Sequence, residues 1–323
     1  MANNYSGDPT VRPLEKLILK FAQPRGYDVD KVFTGLLDYI IWQLDPEEQP
    51  IQYWAFKEGE GAAFAEMMMC LLQILNEEIP KRGWYDAFGD LFMSLHAAGN
   101  SKGQFFTPPH VCTMMSRCIL HEAEPKEWEL PRTPFGRRLT MNDPTCGSSR
   151  LLLAGASVQM KVMQEDWGYD YAKAMERRPY LCAEDIDMNC VKMSAINIAL
   201  HGYFGECVCH DTLCNPGGVD LAFIINETQW PFYTPVPSIR REMRPECLVS
   251  TSRYLAMKAA TDRKKSEDVL PLGGGEQSQE SGVSDFTPET PLSDTVQSKG
   301  METSPIVTSE KVKKSQPQQL TLW

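Results

Sequence analysis

The sequence predicts an α/β fold: a doubly wound parallel sheet preceded by a helical N-terminal domain. Three observations carry this reading. Short apolar segments near 139–142, 180–183, 207–209 and 219–225 each close on a polar cluster. Helix-length apolar patterns separate the first three of them. The residues from about Leu14 to Asn100 show only helical spacing. Strands alternating with helices fold as right-handed crossovers in a parallel sheet.

In the first hundred residues, apolar side chains from Lys31 to Trp42 recur at three- and four-residue spacing, and Pro46 lies beyond the end. Ala62 to Ile79 is a second helix, rich in Met and Leu, and Trp84 to His96 a third. The Met67–Met69 run fits core filling better than an adaptable binding face, since Met fills helix cores routinely. This region, 1–100, is expected to form one helical domain, and 101–257 the α/β domain.

The second domain opens at Gly103-Gln104-Phe105-Phe106-Thr107-Pro108-Pro109, whose prolines stop any preceding helix. Thr107 can cap the helix that follows, with Val111, Met114, Met115 and Cys118 as its apolar stripe. The first strand then runs into Asp143-Pro144-Thr145-Cys146-Gly147-Ser148-Ser149, and an apolar helix begins at Arg150. Strand, tight Gly-bearing turn and helix start bring backbone N–H groups against a small ligand. The second strand, Tyr180–Ala183, ends at Glu184-Asp185, and the third, Cys207–Cys209, at His210-Asp211. The fourth, Val219–Ile225, ends at Asn226. In a doubly wound sheet ligands lie outside the carboxyl ends of the strands, so Asp143, Glu184, Asp211 and Asn226 together describe a site. One such residue alone describes a solvated turn. Glu246 to Ser250 is expected to add a short strand.

From Lys258 the composition turns to Ser, Thr, Pro, Glu, Gln and Lys, and 258–323 is expected to be a disordered tail. It ends in Gln319-Leu320-Thr321-Leu322-Trp323, an apolar tip on a polar segment.

Bulk properties bound the function. The net charge is −11; the tail from Lys258 holds 8 Lys and Arg against 10 Asp and Glu, so the body carries most of it. Phosphate neutralisation supplies most non-specific nucleic-acid affinity, so a DNA-acting protein of this charge needs a local basic patch or a partner. The ten Cys are scattered, without repeated CxxC pairs, and no secretory signal or membrane-length apolar run is present. A soluble, cytoplasmic protein is expected, without membrane contact. Cys207, Cys209, His210 and Cys214 are close enough to suggest zinc. No second pair completes a usual ligand set, which favours buried strand thiols and no metal.

In order along the chain, these motifs resemble those of the DNA adenine-N6 methyltransferases, specifically the modification subunit of bacterial type I restriction–modification systems. The resemblance covers roughly residues 30–226. Gly103–Pro108 matches the family's "GxFYTP" element, and Asn142–Ser148 its "DPxCGSG" loop, with Ser149 where the last glycine falls. Glu184 and the helix carrying Asn197 to His201-Gly202 match the acidic second strand and "MNxxLHG", with Ile196 for Met. Asp211-Thr212-Leu213 matches "GDTL", with His210 for Gly.

The resemblance implies a Rossmann-like class I methyltransferase sheet, S-adenosylmethionine as cofactor, and methyl transfer to the adenine amino group of DNA. It implies that Gly147 lets the backbone approach the methionine moiety, Asp143 faces its ammonium or an ordered water, Glu184 accepts the ribose hydroxyls and Asp211 the adenine amino group. Phe105 and Thr107 close over the methionine end, and Pro108, Pro144, Cys146, Ser148 and Asp185 complete the set.

The family's catalytic Asn-Pro-Pro-aromatic element is degenerate here. Asn226 stands at its start, Glu227 and Thr228 replace both prolines, and Trp230, Pro231, Phe232 and Tyr233 form a displaced approximation able to stack on a flipped base. The family's sheet continues for about three strands beyond this element, so 101–257 reads as a shortened domain. Partners implied are DNA and a specificity or second modification subunit. The tip Gln319, Leu320, Leu322, Trp323 resembles the peptide by which bacterial proteins dock on the replication sliding clamp; docking on its own domain is the equal alternative. A second function is therefore carried forward, from a different class: a catalytically degenerate cofactor- or DNA-associated scaffold on mobile DNA, recruited to the clamp.

Overall fold

The computed structural model describes residues 8–45, 59–96, 106–119, 124–126, 129–130, 132–133, 136–214, 218–227, 237–242 and 248–249. The described N-terminal part is helical, with α1 at Arg12–Ala22, α2 at Val29–Gln43, α3 at Gly61–Arg82 and α4 at Ala87–His96. Local chemistry sets their ends. The Asp28 carboxylate accepts the Asp30 N–H at the start of α2, and Gly83, left-handed at φ 84°, closes α3 by donating to the Ile79 carbonyl. Pro80 is tolerated in the last turn of α3. Phe33, Phe64, Phe88, Leu14, Ile18 and Leu36 are fully buried between these helices.

Helix α5 (Pro109–Ile119) and a short antiparallel pair, β1 (Arg132–Thr133) with β2 (Gly136–Arg137), lead into the main sheet. Its strands are β3 (Thr140–Asp143), β4 (Tyr180–Asp185), β5 (Phe204–Cys209), β6 (Leu221–Ile225) and β7 (Ile239–Arg241), lying side by side in chain order. Helices α6 (Arg150–Glu165) and α7 (Tyr171–Glu176) connect β3 to β4, and α8 (Met188–Leu200) connects β4 to β5. β3, β4 and β5 are parallel, with Asp143 opposite Ala183 and Glu184 opposite Val208. β6 runs antiparallel to β5, pairing Ile225 with Gly205, and β7 antiparallel to β6.

This corrects the expected doubly wound parallel sheet. Among the described residues the sheet is mixed and its strand order never reverses. Residues 210–220 contain no described helix, and a parallel return needs a crossover of roughly a dozen residues or more, usually helical. The chain therefore turns back beside β5. Because both helical crossovers advance in one direction, right-handed connections place α6 and α8 on the same face. The two helices contribute Leu152, Leu153, Ala156, Val191, Met193 and Ile196 to the main core. Among the described residues the opposite face holds small clusters, Val208, Ala222, Ile224 and Leu248, and Tyr180, Cys182 and Phe204.

Helix α8 lies between sheet and N-terminal helices and is buried from Cys190 to Ala199. Its Lys192 pairs with Asp38 of α2 at 2.6 Å, while the Ile239 N–H of β7 donates to the Leu44 carbonyl. The N-terminal helices and the sheet thus share one continuous core. The expected strand at 246–250 lies mostly outside the described residues. No helix among the described residues is long and apolar enough to cross a membrane.

Candidate functional site

Strands β3, β4 and β5 all end at one edge of the sheet, and the turn between β3 and α6 closes over it. Asp143 Oδ1 accepts the Thr145 N–H at 3.1 Å, starting the turn. The Cys146 N–H donates to the Glu184 carbonyl at 2.8 Å, fastening the turn to the end of β4. The Gly147 N–H donates to Asp185 Oδ2 at 2.9 Å, while Asp185 Oδ1 accepts from Asp187 N at 2.8 Å. Gly147 is left-handed (φ 55°), and a Cβ there would come within 2.7 Å of the Phe106 ring. Only glycine meets both conditions. Ser149 is also left-handed (φ 65°), which is where the resembling loops carry glycine, and its buried hydroxyl has no partner among the described residues.

The carboxylates at this edge are crowded. Burial raises the pKa of Asp143, and the nearby Asp185 and Glu184 charges add to the rise despite the Thr145 N–H. Burial likewise raises Asp185, with the Asp187 charge adding. Glu184 moves the other way: burial alone would raise it, but His210, at 2.7 Å from Oε2, together with Asn142 and Thr212, holds it below its ordinary value. Asp211, at the end of β5, accepts the N–H groups of Cys214 at 2.8 Å and Leu213 at 3.0 Å, which lower its pKa.

A buried network under the turn is the part that sequence reasoning missed. Asp86, immediately before α4, takes four donors: Ser148 Oγ (2.5 Å), Arg150 Nε (2.8 Å), Asn197 Nδ2 (2.8 Å) and the Gly89 N–H (2.8 Å). Arg150 also reaches Asp90 at 2.8 Å, and Asn197 the Ser148 carbonyl at 2.8 Å. A Cβ on Gly89 would lie 2.0 Å from Asp86 Oδ2, so this glycine makes room for the carboxylate. The local signal was the spacing of Asp86 and Gly89, a helix N-cap pattern; the long-range partners left none. His201 lies beside it, accepting the Tyr85 N–H at Nε2 (3.2 Å) and donating from Nδ1 to the Asn197 carbonyl (2.6 Å). Burial holds this ring neutral and lowers its pKa to about 4.

The structure thus brings together Thr107, Asp143, Pro144, Cys146, Gly147, Ser148, Glu184, Asp185 and Asp211 at or beside one edge. The Thr107 carbonyl accepts from Arg150 at 3.4 Å, and the Pro108 carbonyl receives the first N–H bonds of α5. Phe105 lies outside the described residues; Phe106 is the ring on the turn. Asn226 departs from the expectation. Antiparallel β6 carries it to the opposite edge, where its side chain donates to the carbonyls of Ala199 (3.1 Å) and Tyr203 (2.8 Å) and accepts the Ser238 N–H (2.9 Å). Trp230, Pro231, Phe232 and Tyr233, and the tip Gln319, Leu320, Leu322 and Trp323, lie outside the described residues. Cys207 and Cys209 are buried in the main core and Cys214 is exposed.

Residues 84–227 match the family model described as N-6 DNA methylase. Over this span the chain is similar to that family. No curated protein and no solved structure matches it. The N-6 DNA methylase segment starts two residues before Asp86 and ends one residue after Asn226. It therefore contains the whole buried network, the glycine turn and the three acidic strand ends.

Proposed function

We propose that the protein is an S-adenosylmethionine-dependent DNA adenine-N6 methyltransferase, working beside a specificity or second modification subunit as the type I resemblance implies. The observation that carries the reading is the glycine turn: it closes over three parallel strand ends, its Gly147 N–H is fixed by Asp185, and carboxylates surround it. This acceptor set suits the cofactor. Its ammonium, ribose hydroxyls and adenine amino group are all hydrogen-bond donors, and Asp143, Asp185, Glu184 and Asp211 are acceptors. Bound there, the cofactor supplies a methyl group on a sulfonium centre. The chain's own work is to hold and orient. Asp143 and Asp185 take the ammonium end. Glu184, preset by His210 and Thr212, takes the ribose. Asp211 takes the adenine amino group. Thr107, Pro108 and Phe106 lie by the turn, Phe105 contacts the methionine end as the resemblance implies, and Pro144, Cys146 and Ser148 shape the turn. Aromatic stacking on a displaced base falls to Trp230–Tyr233.

A second reading is favoured by one observation. Among the described residues the Asn226 side chain makes three hydrogen bonds, all within the fold at the edge away from the turn, so the expected acceptor for the target amino group is spent on structure. In that reading the protein holds the cofactor or DNA without turnover and is recruited through its C-terminal tip to the sliding clamp.

Calorimetry with S-adenosylmethionine and transfer of labelled methyl groups to DNA separate the two. Wild-type binding with turnover supports the enzyme, and binding without turnover supports the scaffold. Absence of cofactor binding removes the cofactor site from both. Asp185→Ala is expected to weaken cofactor binding at least tenfold, since it frees the Gly147 N–H and removes an acceptor (roughly 1–3 kcal/mol). Leu322→Ala with Trp323→Ala is expected to abolish capture by the clamp; unchanged capture rejects that recruitment.

A further inference from the structure

The end of β5 sets a histidine against the carboxylate that the methyltransferase reading gives to the ribose. β5 closes at Cys209, and the next N–H, that of His210, donates to the Asp185 carbonyl at 3.1 Å, so the pairing with β4 runs on by one residue. Side chains two apart on a strand share a face. His210 therefore leaves on the face of Val208, which stands opposite Glu184. Its imidazole is buried, and Nε2 lies 2.7 Å from Glu184 Oε2.

An ionised carboxylate only accepts hydrogen bonds, so Nε2 carries the proton in this contact. Nδ1 is buried without a partner among the described residues, and the ring is held through its other nitrogen. The Thr212 hydroxyl also reaches Glu184 Oε2, at 3.2 Å, but its single proton has a second acceptor, the Pro144 carbonyl at 3.4 Å. The same hydroxyl oxygen lies 3.3 Å from Nε2. The imidazole is thus the nearer and steadier donor, and with Thr212 it ties the ends of β4 and β5 to the turn.

Glu184 stands among like charges. Asp143 at the end of β3 and Asp185 beside it on β4 crowd the same edge, and Asp211 lies just beyond His210; all three are acids. Burial raises the pKa of Asp143 and of Asp185. Burial would raise Glu184 as well, but His210 foremost, then Asn142 and Thr212, hold it below its ordinary value. The resembling motif has glycine where this chain has His210, and glycine supplies no side-chain donor.

We propose that His210 is a positioning residue for the ribose end of the methyl donor: it fixes Glu184 through Oε2, keeps that carboxylate ionised among its acidic neighbours, and so sets the acid limit of cofactor binding. The proposal rests on the reading of Glu184 as the ribose acceptor.

The test uses the full chain and S-adenosylhomocysteine, with the 2′-deoxy form of that ligand beside it, by calorimetry between about pH 8 and about pH 5.5. His210→Gly is expected to weaken S-adenosylhomocysteine about tenfold near the upper end of the range, as loss of a charge-assisted bond requires. The ratio of variant to wild-type Kd is expected to grow as the pH falls. Without the imidazole Glu184 takes up its proton at a higher pH, and a protonated carboxyl is a poorer acceptor. The 2′-deoxy ligand is expected to lose less than the ribose form. His210→Gln, which carries an N–H at similar reach, is expected to restore most of the affinity and the wild-type pH profile. Without ligand, the NMR signal of the isotope-labelled Glu184 carboxyl, assigned through Glu184→Gln, is expected to titrate higher in His210→Gly than in the wild type. A Kd ratio constant with pH and equal for the two ligands makes His210 merely structural and overturns the proposal, as does an unmoved Glu184 titration. A raised titration with unchanged affinity overturns Glu184 as the ribose acceptor, and the cofactor role of His210 with it. Absence of binding by the wild-type chain rejects the underlying reading and this proposal together. Matched thermal transitions confirm that the variants are folded.

Discussion

The two edges of the sheet are built from the same strands but do different things with polar groups. Where β3, β4 and β5 end, Asp143, Glu184, Asp185 and Asp211 accept hydrogen bonds from the backbone and from His210 and Thr212, and a glycine turn is drawn down among them. Where those strands begin, arginines cluster beside Trp167. Farther along the same edge, Asn226 arrives on the reversed strand β6 and is consumed in holding α8, β5 and β7 together. The difference teaches that a polar residue at a strand end has no meaning until the strand's direction is known. Asn226 fits a catalytic series by spacing and leaves it by topology.

The sharpest way to break this contrast is at the support of the turn. Asp86→Ala leaves Arg150 buried without its principal carboxylate and strips an acceptor from Ser148, Asn197 and Gly89. A destabilisation of about 3–5 kcal/mol in urea unfolding is expected, with cofactor binding lost in parallel. A loss below about 1 kcal/mol shows that the turn is held by something else. Next, Asn226→Ala removes three hydrogen bonds and puts Ala at φ 61°. It is expected to cost about 2–4 kcal/mol of stability while leaving cofactor affinity unchanged. Normal stability with abolished methyl transfer instead returns Asn226 to the chemistry.

The smallest effect concerns acidity. His201 has its pKa lowered from 6.5 to about 4, so between these values the unfolded chain binds a proton that the folded one does not. Stability is therefore fully present above pH 6.5 and falls as the pH drops toward 4, by an order of 1–3 kcal/mol. His201→Asn is expected to flatten that part of the stability–pH curve; an unchanged slope assigns the effect to other groups.

Much of this was legible beforehand. The spacing of apolar residues placed α2, α3 and α4 within a few positions, because helix faces are written locally. The glycine turn was legible because Pro144 and Gly147 have few other uses between a strand and a helix. The direction of β6 is not written in β6: its Leu-Ala-Phe-Ile-Ile run serves either orientation. The decision lies in residues 210–220, where no helix pattern follows the third strand. Asp86 was hidden for another reason. Its partners are remote in the chain, and a lone Asp before a helix reads as a cap, which it also is.

The Asp86 network also fixes an order of events in folding. Its bonds join residues 64 and 111 positions apart in the chain. Contacts of that span bring no return until the long loops between them have closed. Helix α4 must be seated and α8 docked before Asp86, Arg150 and Asn197 can meet, so the bracing beneath the glycine turn requires both helices in place. Parting α4 from the sheet breaks the bonds of Ser148, Arg150 and Asn197 to Asp86 and leaves the turn fastened by Glu184 and Asp185. A chain that begins after α4 keeps every residue of the turn and loses the carboxylate on which Ser148, Arg150 and Asn197 converge.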